Sequence, residues 1–203
     1  QFYTFNKEDK VSGLAGNMVN CIEQGNGEEL YVGESDALQV FRNDVFKTID
    51  TRDLSNHKIV CYVNCICPTR RGDILVGTSG HGILKIHHGQ TANQIAGLGH
   101  GVDFIREMKE DRQGNIWIAT QDNGICRIKG NKLTTYPAEG ADATSFTDIC
   151  QDRRGDIYAA TIDNGLYKLD RARNVFMHVQ ASGNLPIATM KASSNGKILL
   201  GSN

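Results

Sequence analysis

The side chains best suited to chemistry in this chain are amides, carboxylates and a few cations set beside glycines. Two Asp-Asn-Gly triplets stand at 122–124 and 163–165, so Gln121, Asp122, Asn123, Asp163 and Asn164 sit in or beside tight turns. Ser35, Asp36, Ser79 and His81 occupy related positions further upstream. Asn20, Asn64, Arg106 and Thr147 form a second set, each one residue after a buried-type apolar position (Val19, Val63, Ile105, Phe146). Such groups both donate and accept hydrogen bonds, which suits the hydroxyls of a sugar. Asp-Asn-Gly is also ordinary turn chemistry, and for any single residue that explanation suffices. The equivalent residues taken together as a ring are a stronger candidate than any one member.

Other chemistries find less support. The six cysteines (Cys21, Cys61, Cys65, Cys67, Cys126, Cys150) lack zinc-ribbon spacing. Alternation along a strand would spread Cys61, Cys65 and Cys67 along one side at intervals of about 7 Å, too far apart for one zinc. They read as buried or half-buried free thiols, with a disulfide left open in an oxidising compartment. The six histidines show no ligand spacing, and no nucleophile-elbow, zincin or phosphate-loop motif occurs. We therefore expect no catalytic residue, no metal and no cofactor. Arg70, Arg71, Arg112, Arg153 and Arg154 fall in turns, where they form either a docking surface for an acidic partner or a solvated rim. The net charge of −1 argues against nucleic acid and gives no pull towards an anionic membrane. No apolar run approaches the roughly 18 residues that span a bilayer.

The elements that must position these residues repeat. Gly114 to Thr120, followed by Gln121 to Ile125, aligns without a gap on Gly155 to Thr161, followed by Ile162 to Leu166. Gly72 to Thr78 is an earlier copy, Gly196 to Ser202 a later one, and Glu28 to Glu34 a weaker first one. Gly33, Gly77, Ala119, Ala160 and Gly201 share one small-residue position, and Ile22, Ile66, Met108, Ile149 and Met190 share an apolar one. Each copy of about 40 residues holds four short runs of β-branched and aromatic residues, strands A to D, punctuated by turn residues. Gly72, Gly114, Gly155 and Gly196 close the A–B turns, and the Asp-Asn-Gly triplets close B–C hairpins. No helical periodicity is present. A four-stranded repeat of this length is a propeller blade. The fold class is thus all-β, with blades at about 17–50, 60–96, 103–137 and 146–180 and a partial blade at 187–203 joined by residues 1–5. Trp117 lies within strand B between apolar neighbours, which predicts packing between blades rather than sugar stacking.

The pattern Val-x-x-Ile-x-x-Asp-x-x-Gly-x-Ile-Trp-Ile-Ala-Thr-x-x-x-Gly-Ile-x-x-Ile, best kept at 105–128 and 146–169, resembles the two-component regulator propeller repeat. Residues 13–22 look like the linker and strand that open a blade in that family. The resemblance implies the periplasmic sensor region of a hybrid two-component system, in which propellers precede a β-sandwich, a membrane helix and a histidine kinase, and in which glycan fragments are sensed. It implies ligand sensing without catalysis, an oligosaccharide ligand, and partners in the remaining blades and signalling domains. Tyr31, Leu75, Tyr158 and Leu199 depart from the family tryptophan that Trp117 keeps, and the first A–B turn, 25–29, is one residue longer than the others.

The chain begins at Gln1, which suggests a removed leader or an excised piece. We expect a fragment of a larger ring, with a closed five-blade ring as its rival. An open fragment should expose an apolar blade face and self-associate. Two other functions fit a propeller: a protein-interaction scaffold, and a lyase or hydrolase with polar residues at the channel mouth.

Overall fold

The computed structural model describes residue 8 and residues 13–16, 18–96, 102–139 and 145–202. The chain forms two compact units, 1–96 and 97–203, both built from antiparallel blades.

In the first unit, β1 (Val19–Gln24), β2 (Leu30–Glu34), β3 (Leu38–Arg42) and β4 (Val45–Thr48) make one four-stranded sheet in sequence order. The next blade is β6 (Tyr62–Pro68), β7 (Ile74–Ser79), β8 (Ile83–His87) and β9 (Thr91–Gln94). It carries a fifth strand, β5 (Asp50–Arg52), that the sequence pattern does not announce. Having left the first blade, the chain runs parallel to β9, pairing Asp50 with Thr91, Thr51 with Ala92 and Arg52 with Asn93. This covers an edge that would otherwise be open to association.

The second unit holds β10 (Ile105–Glu110), β11 (Ile116–Thr120), β12 (Ile125–Lys129) and β13 (Lys132–Tyr136), then β14 (Asp148–Gln151), β15 (Ile157–Ala160), β16 (Leu166–Asp170) and β17 (Val175–His178). A two-stranded sheet of β18 (Thr189–Ala192) and β19 (Ile198–Gly201) ends it. The same edge device recurs in shorter form. Ala138 bridges Phe176 in parallel, with the Phe176 amide on Pro137 O (2.8 Å) and the Glu139 amide on Phe176 O (2.9 Å). The outer strand expected at Gln1–Phe5 lies outside the described residues.

Strand B is buried on both faces, so its sequence is a continuous apolar run rather than an alternation. Every residue of β11 is buried, whereas β13 at the outside of the same blade has exposed Lys132 and Thr135 and only Tyr136 buried. The cores lie between blades. In the first unit Tyr31, Leu38 and Val40 pack with Val63, Ile66 and Val76. In the second, Trp117, Ile125 and Tyr136 pack with Phe146, Ile149 and Phe176. Burying each such side chain stabilises the fold by about 1.5–3 kcal/mol. The shared small position is explained here: a Cβ on Gly33 would stand 2.4 Å from Val63 Cγ1 and 2.5 Å from Cys21 Sγ.

Equivalent positions differ in exposure between blades. Ile22 is 56% exposed, whereas its equivalents Ile66 and Met108 are at 1% and 0%. Leu199 is 58% exposed, whereas Trp117 at the matching position is at 3%.

Turns repeat as faithfully as strands. Asp111 Oδ1 accepts the amides of Gln113 and Asn115 (both 2.9 Å), and its Oδ2 accepts Asn115 Nδ2 (2.8 Å) and Trp117 Nε1 (2.9 Å). Asp152 closes the next A–B turn through the amides of Arg154 (2.8 Å) and Asp156 (2.9 Å). In the B–C turns the fully buried hydroxyls of Thr78, Thr120 and Thr161 donate to Gly82 O, Gly124 O and Gly165 O at 2.8, 2.8 and 3.1 Å. Each hydroxyl also accepts an amide from the turn: His81 (3.2 Å), Asn123 (2.9 Å) or Asn164 (2.9 Å). Thr120→Val keeps the shape and the backbone bond from the Thr120 amide to Gly124 O (3.1 Å), but it leaves the Asn123 amide without its acceptor, so we expect a loss of about 1–3 kcal/mol in urea unfolding. An unchanged midpoint would mean the hydroxyl does not hold the turn.

Candidate functional site

Asn20, Asn64 and Arg106 occupy one structural peculiarity. The A–B ladders slip there, between Val19 and Cys21, Val63 and Cys65, and Ile105 and Glu107. A bulge of this kind leaves one residue unpaired and re-aims its side chain. Thr147 stands just before β14, its amide bonded to Ala160 O at 2.8 Å.

Their bonds run both between blades and within one blade. Asn20 Nδ2 donates to Val63 O of the following blade (3.0 Å), and its Oδ1 accepts the Tyr62 hydroxyl (3.3 Å). Thr147 Oγ1 likewise donates to Ile187 O of the following blade (2.7 Å). Asn64 Nδ2 instead donates to Ser79 Oγ (2.8 Å), and Arg106 Nη2 to Gln121 Oε1 (2.8 Å), each tying the start of strand A to the B–C turn of its own blade. Asp122, Asn123 and Asp163 are exposed at the turn tips, while His81 and Asn164 are half-buried. Asn123 Nδ2 and Asn164 Nδ2 donate to the carboxylates of Asp122 (3.4 Å) and Asp163 (3.2 Å).

Sequence reasoning missed three neighbours of this position. Met18, Tyr62 and Phe104, two residues before Asn20, Asn64 and Arg106, are 61%, 41% and 40% exposed. Large apolar side chains repeated at one register and left open are informative, and the register itself was readable. In two blades an aromatic face is thus set close in the chain to an amide or guanidinium, a combination that suits the apolar faces and hydroxyl rim of a sugar.

The residue after the bulge is acidic in the second unit. Asp148 Oδ2 accepts the Met190 amide (2.5 Å) and Thr189 Oγ1 (3.0 Å), and Oδ1 accepts the Ile149 amide (2.6 Å). Glu107 Oε1 accepts the Met108 amide (2.8 Å) and faces Lys109 Nζ (3.3 Å). Burial pushes both carboxyls above the usual range. The amides hydrogen-bonded to Asp148, and Lys109 beside Glu107, pull back, and the Asp148 charge raises Glu107 further. With both oxygens bonded, Asp148 acts as a strap between blades.

Glu34 replaces the turn threonine in the first blade. It is fully buried and accepts the Gly16 amide, while Gln39 Oε1 takes the Ala15 amide (2.9 Å). Burial raises the Glu34 carboxyl despite the Gly16 bond, with Asp36 adding to it. The segment 13–16 is thereby tied across the first blade.

On the A–B side the arginines are partly structural. Arg112 Nη1 donates to Arg153 O (2.7 Å), and Arg153 Nη1 to Ser194 O (3.3 Å), each reaching the following blade. Trp117 is buried against Tyr136 (5.1 Å), Phe176 (6.1 Å) and the Arg127 guanidinium (5.4 Å), in agreement with a packing role. All six cysteines are free thiols, Cys21 half-buried and the rest buried. Burial pushes Cys61 up to about 11, and burial with the charges of Asp148 and Asp152 pushes Cys150 up to about 12. Such thiols are poor nucleophiles. Among the described residues no group of three or more His, Cys, Asp or Glu is placed to hold a metal, and no helix is long and apolar enough to cross a membrane.

Residues 100–122 match the family described as two component regulator propeller. This chain carries that propeller repeat. Nearly the whole chain, 98%, superposes on the extracellular domain assigned to a hybrid two component system of B. thetaiotaomicron, with a TM-score of 0.76 and 21% identity over 27% of that domain. A second extracellular domain from the same organism, assigned to a one component system, gives 0.74 and 17% identity, with 98% of this chain covering 28% of that one. The chain therefore spans little more than a quarter of either domain. Virginiamycin B lyase from Staphylococcus aureus gives 0.73 and 15% identity, with 98% of this chain covering 76% of the enzyme. None of the curated proteins matches. At these identities the likeness is one of fold, and the fold is the β-propeller.

Asp148 provides a pH test of the straps. Its raised value means that its contribution to stability is complete below the ordinary aspartate range, near about 4, and is lost as pH rises through the folded value. The stability advantage of the chain over its Asp148→Asn variant should therefore shrink as pH rises across that window, measured by urea unfolding at a series of pH values. A flat or growing advantage would contradict the assignment.

Proposed function

We propose that this chain is a ligand-binding part of the extracellular, periplasmic sensor region of a hybrid two-component system, that it recognises oligosaccharides, and that it is not itself an enzyme. The observation that carries this reading is the repeated start of strand A, where an exposed apolar side chain precedes a polar residue aimed by a bulge. The propeller repeat at 100–122 and the likeness to extracellular sensor domains support the setting. Further blades of the same repeat are its natural partners. Ile22 and Leu199 are exposed at positions whose counterparts are buried elsewhere.

Oligosaccharide binding is tested by isothermal calorimetry against pooled plant and host glycan fragments. Tyr62→Ala and Phe104→Ala remove an exposed ring without opening a core, so each should weaken binding by about tenfold while leaving unfolding midpoints in place, since one stacked ring contributes about 0.5–1.5 kcal/mol. Equal affinity in both variants would remove the start of strand A from the site.

The likeness to virginiamycin B lyase favours a second reading, a propeller lyase. Turnover of virginiamycin B or of a glycan by the purified chain, abolished by Asp122→Ala, would establish it in place of the sensor. Absence of turnover together with calorimetric heat would favour the sensor.

A further inference from the structure

The chain leaving β17 turns back towards its own blade. Residues Gln180–Ser182 form a single 3-10 turn that folds back on the B–C hairpin of the same blade. Ser182 Oγ accepts the Leu166 amide (3.0 Å) and donates to Val179 O (2.7 Å). The approach is close enough to require Gly165. Its φ is +70°, and a Cβ there would lie 2.1 Å from Gly183 O. Gly124, in the same position one blade earlier, has Tyr136 O at 3.7 Å as its nearest neighbour among the described residues.

Between this turn and the hairpin lies an open-sided cavity of about 460 Å³, lined by Asn164, Tyr167, His178, Gln180, Asn184 and Glu139 among others. That is a small-molecule size. Its charge is already compensated, because Glu139 is held bidentately by Arg173 at 3.1 Å for each oxygen. His178 is fixed as well. Gly183 O can only accept, so Nε2 carries the hydrogen of their 3.0 Å bond, and Nδ1 accepts the Gln180 amide at 3.4 Å. The Tyr167 ring stands against His178 at 5.3 Å. Tyr167 is 2% exposed, and no described residue hydrogen-bonds its hydroxyl, although the side chain lines the cavity. Burial, reinforced by Asp163, keeps this phenol protonated.

We propose that this cavity is a second binding site, for one uncharged, hydroxyl-rich ring of a saccharide. The compensated Glu139 offers no free charge to a phosphate or an amine. The Tyr167 hydroxyl and the Asn164, Gln180 and Asn184 amides supply both donors and acceptors, matching the dual character of sugar hydroxyls. The ligand class rests on the oligosaccharide reading above, but the site is separate from the start of strand A.

The test is a 1H–15N NMR titration of the whole chain with D-glucose, D-galactose, D-mannose and N-acetylglucosamine, with inorganic phosphate and ammonium as charged controls. Shifts should centre on the backbone amides of Gly165 and Gly183 and the side-chain amides of Asn164, Gln180 and Asn184. Tyr167→Phe, which keeps the core ring, should weaken binding by about tenfold, and exposed Asn184→Ala by a smaller factor. Phe104→Ala should leave this binding unchanged. Shifts confined to the start of strand A would overturn the second site and leave the oligosaccharide reading intact. Shifts here with phosphate or ammonium alone would overturn the ligand class. No shift at these amides with any probe, or full affinity in Tyr167→Phe, would overturn the proposal.

Discussion

A propeller blade cannot bury its own apolar side chains. It is a single sheet, and both faces of its middle strands are apolar, so each must be covered by another blade. Everything else in this structure answers to that face-to-face contact. At Gly33 the small residue lets Val63 of the next blade come close. Polar groups then hold the approach at chosen points. Asn20 and Thr147 work near the start of strand A, Asp148 one residue further along, and Arg112 and Arg153 at the opposite turns. Most of these bonds end on backbone groups, which need partners once buried.

The blade pattern was legible because it is local and periodic. Strands A to D, the A–B glycines and the Asp-Asn-Gly hairpins all follow from residues a few positions apart. What lies between blades was not legible. The parallel strand at Asp50–Arg52 has no distinctive composition, and its identity depends on β9, some 40 residues away in the chain. Arg112 and Arg153 looked like a rim of free charge because nothing in their own turns names the carbonyl they reach. The turn threonines were in plain view, always directly after the small position, but their role appears only once the hydroxyl is seen bonded on both sides. Glu34, standing in that place in the first blade, shows how a single departure from the repeat redirects a loop.

The site residues divide along the same line. Asn20, Asn64, Arg106 and Thr147 were identified as equivalent, but their bonds were not legible: Asn20 and Thr147 reach the next blade, while Asn64 and Arg106 bond Ser79 and Gln121 in the B–C turns of their own blades. The exposed Met18, Tyr62 and Phe104 could have been found by asking which apolar positions in the repeat lack a partner. The cavity beside Gly165 could not, since it depends on a linker that carries no motif.

The parallel clasps at the outer edges have a mechanical meaning. In each unit the chain passes from one blade to the next by lying alongside the next blade's outermost strand. A pull along the chain loads those hydrogen bonds in shear, all at once, rather than peeling them one by one. Tension applied to a linker is therefore resisted at the clasp before it reaches the blade interior, and neighbouring blades are displaced together. Blades joined in this way transmit force as a stiff cable does.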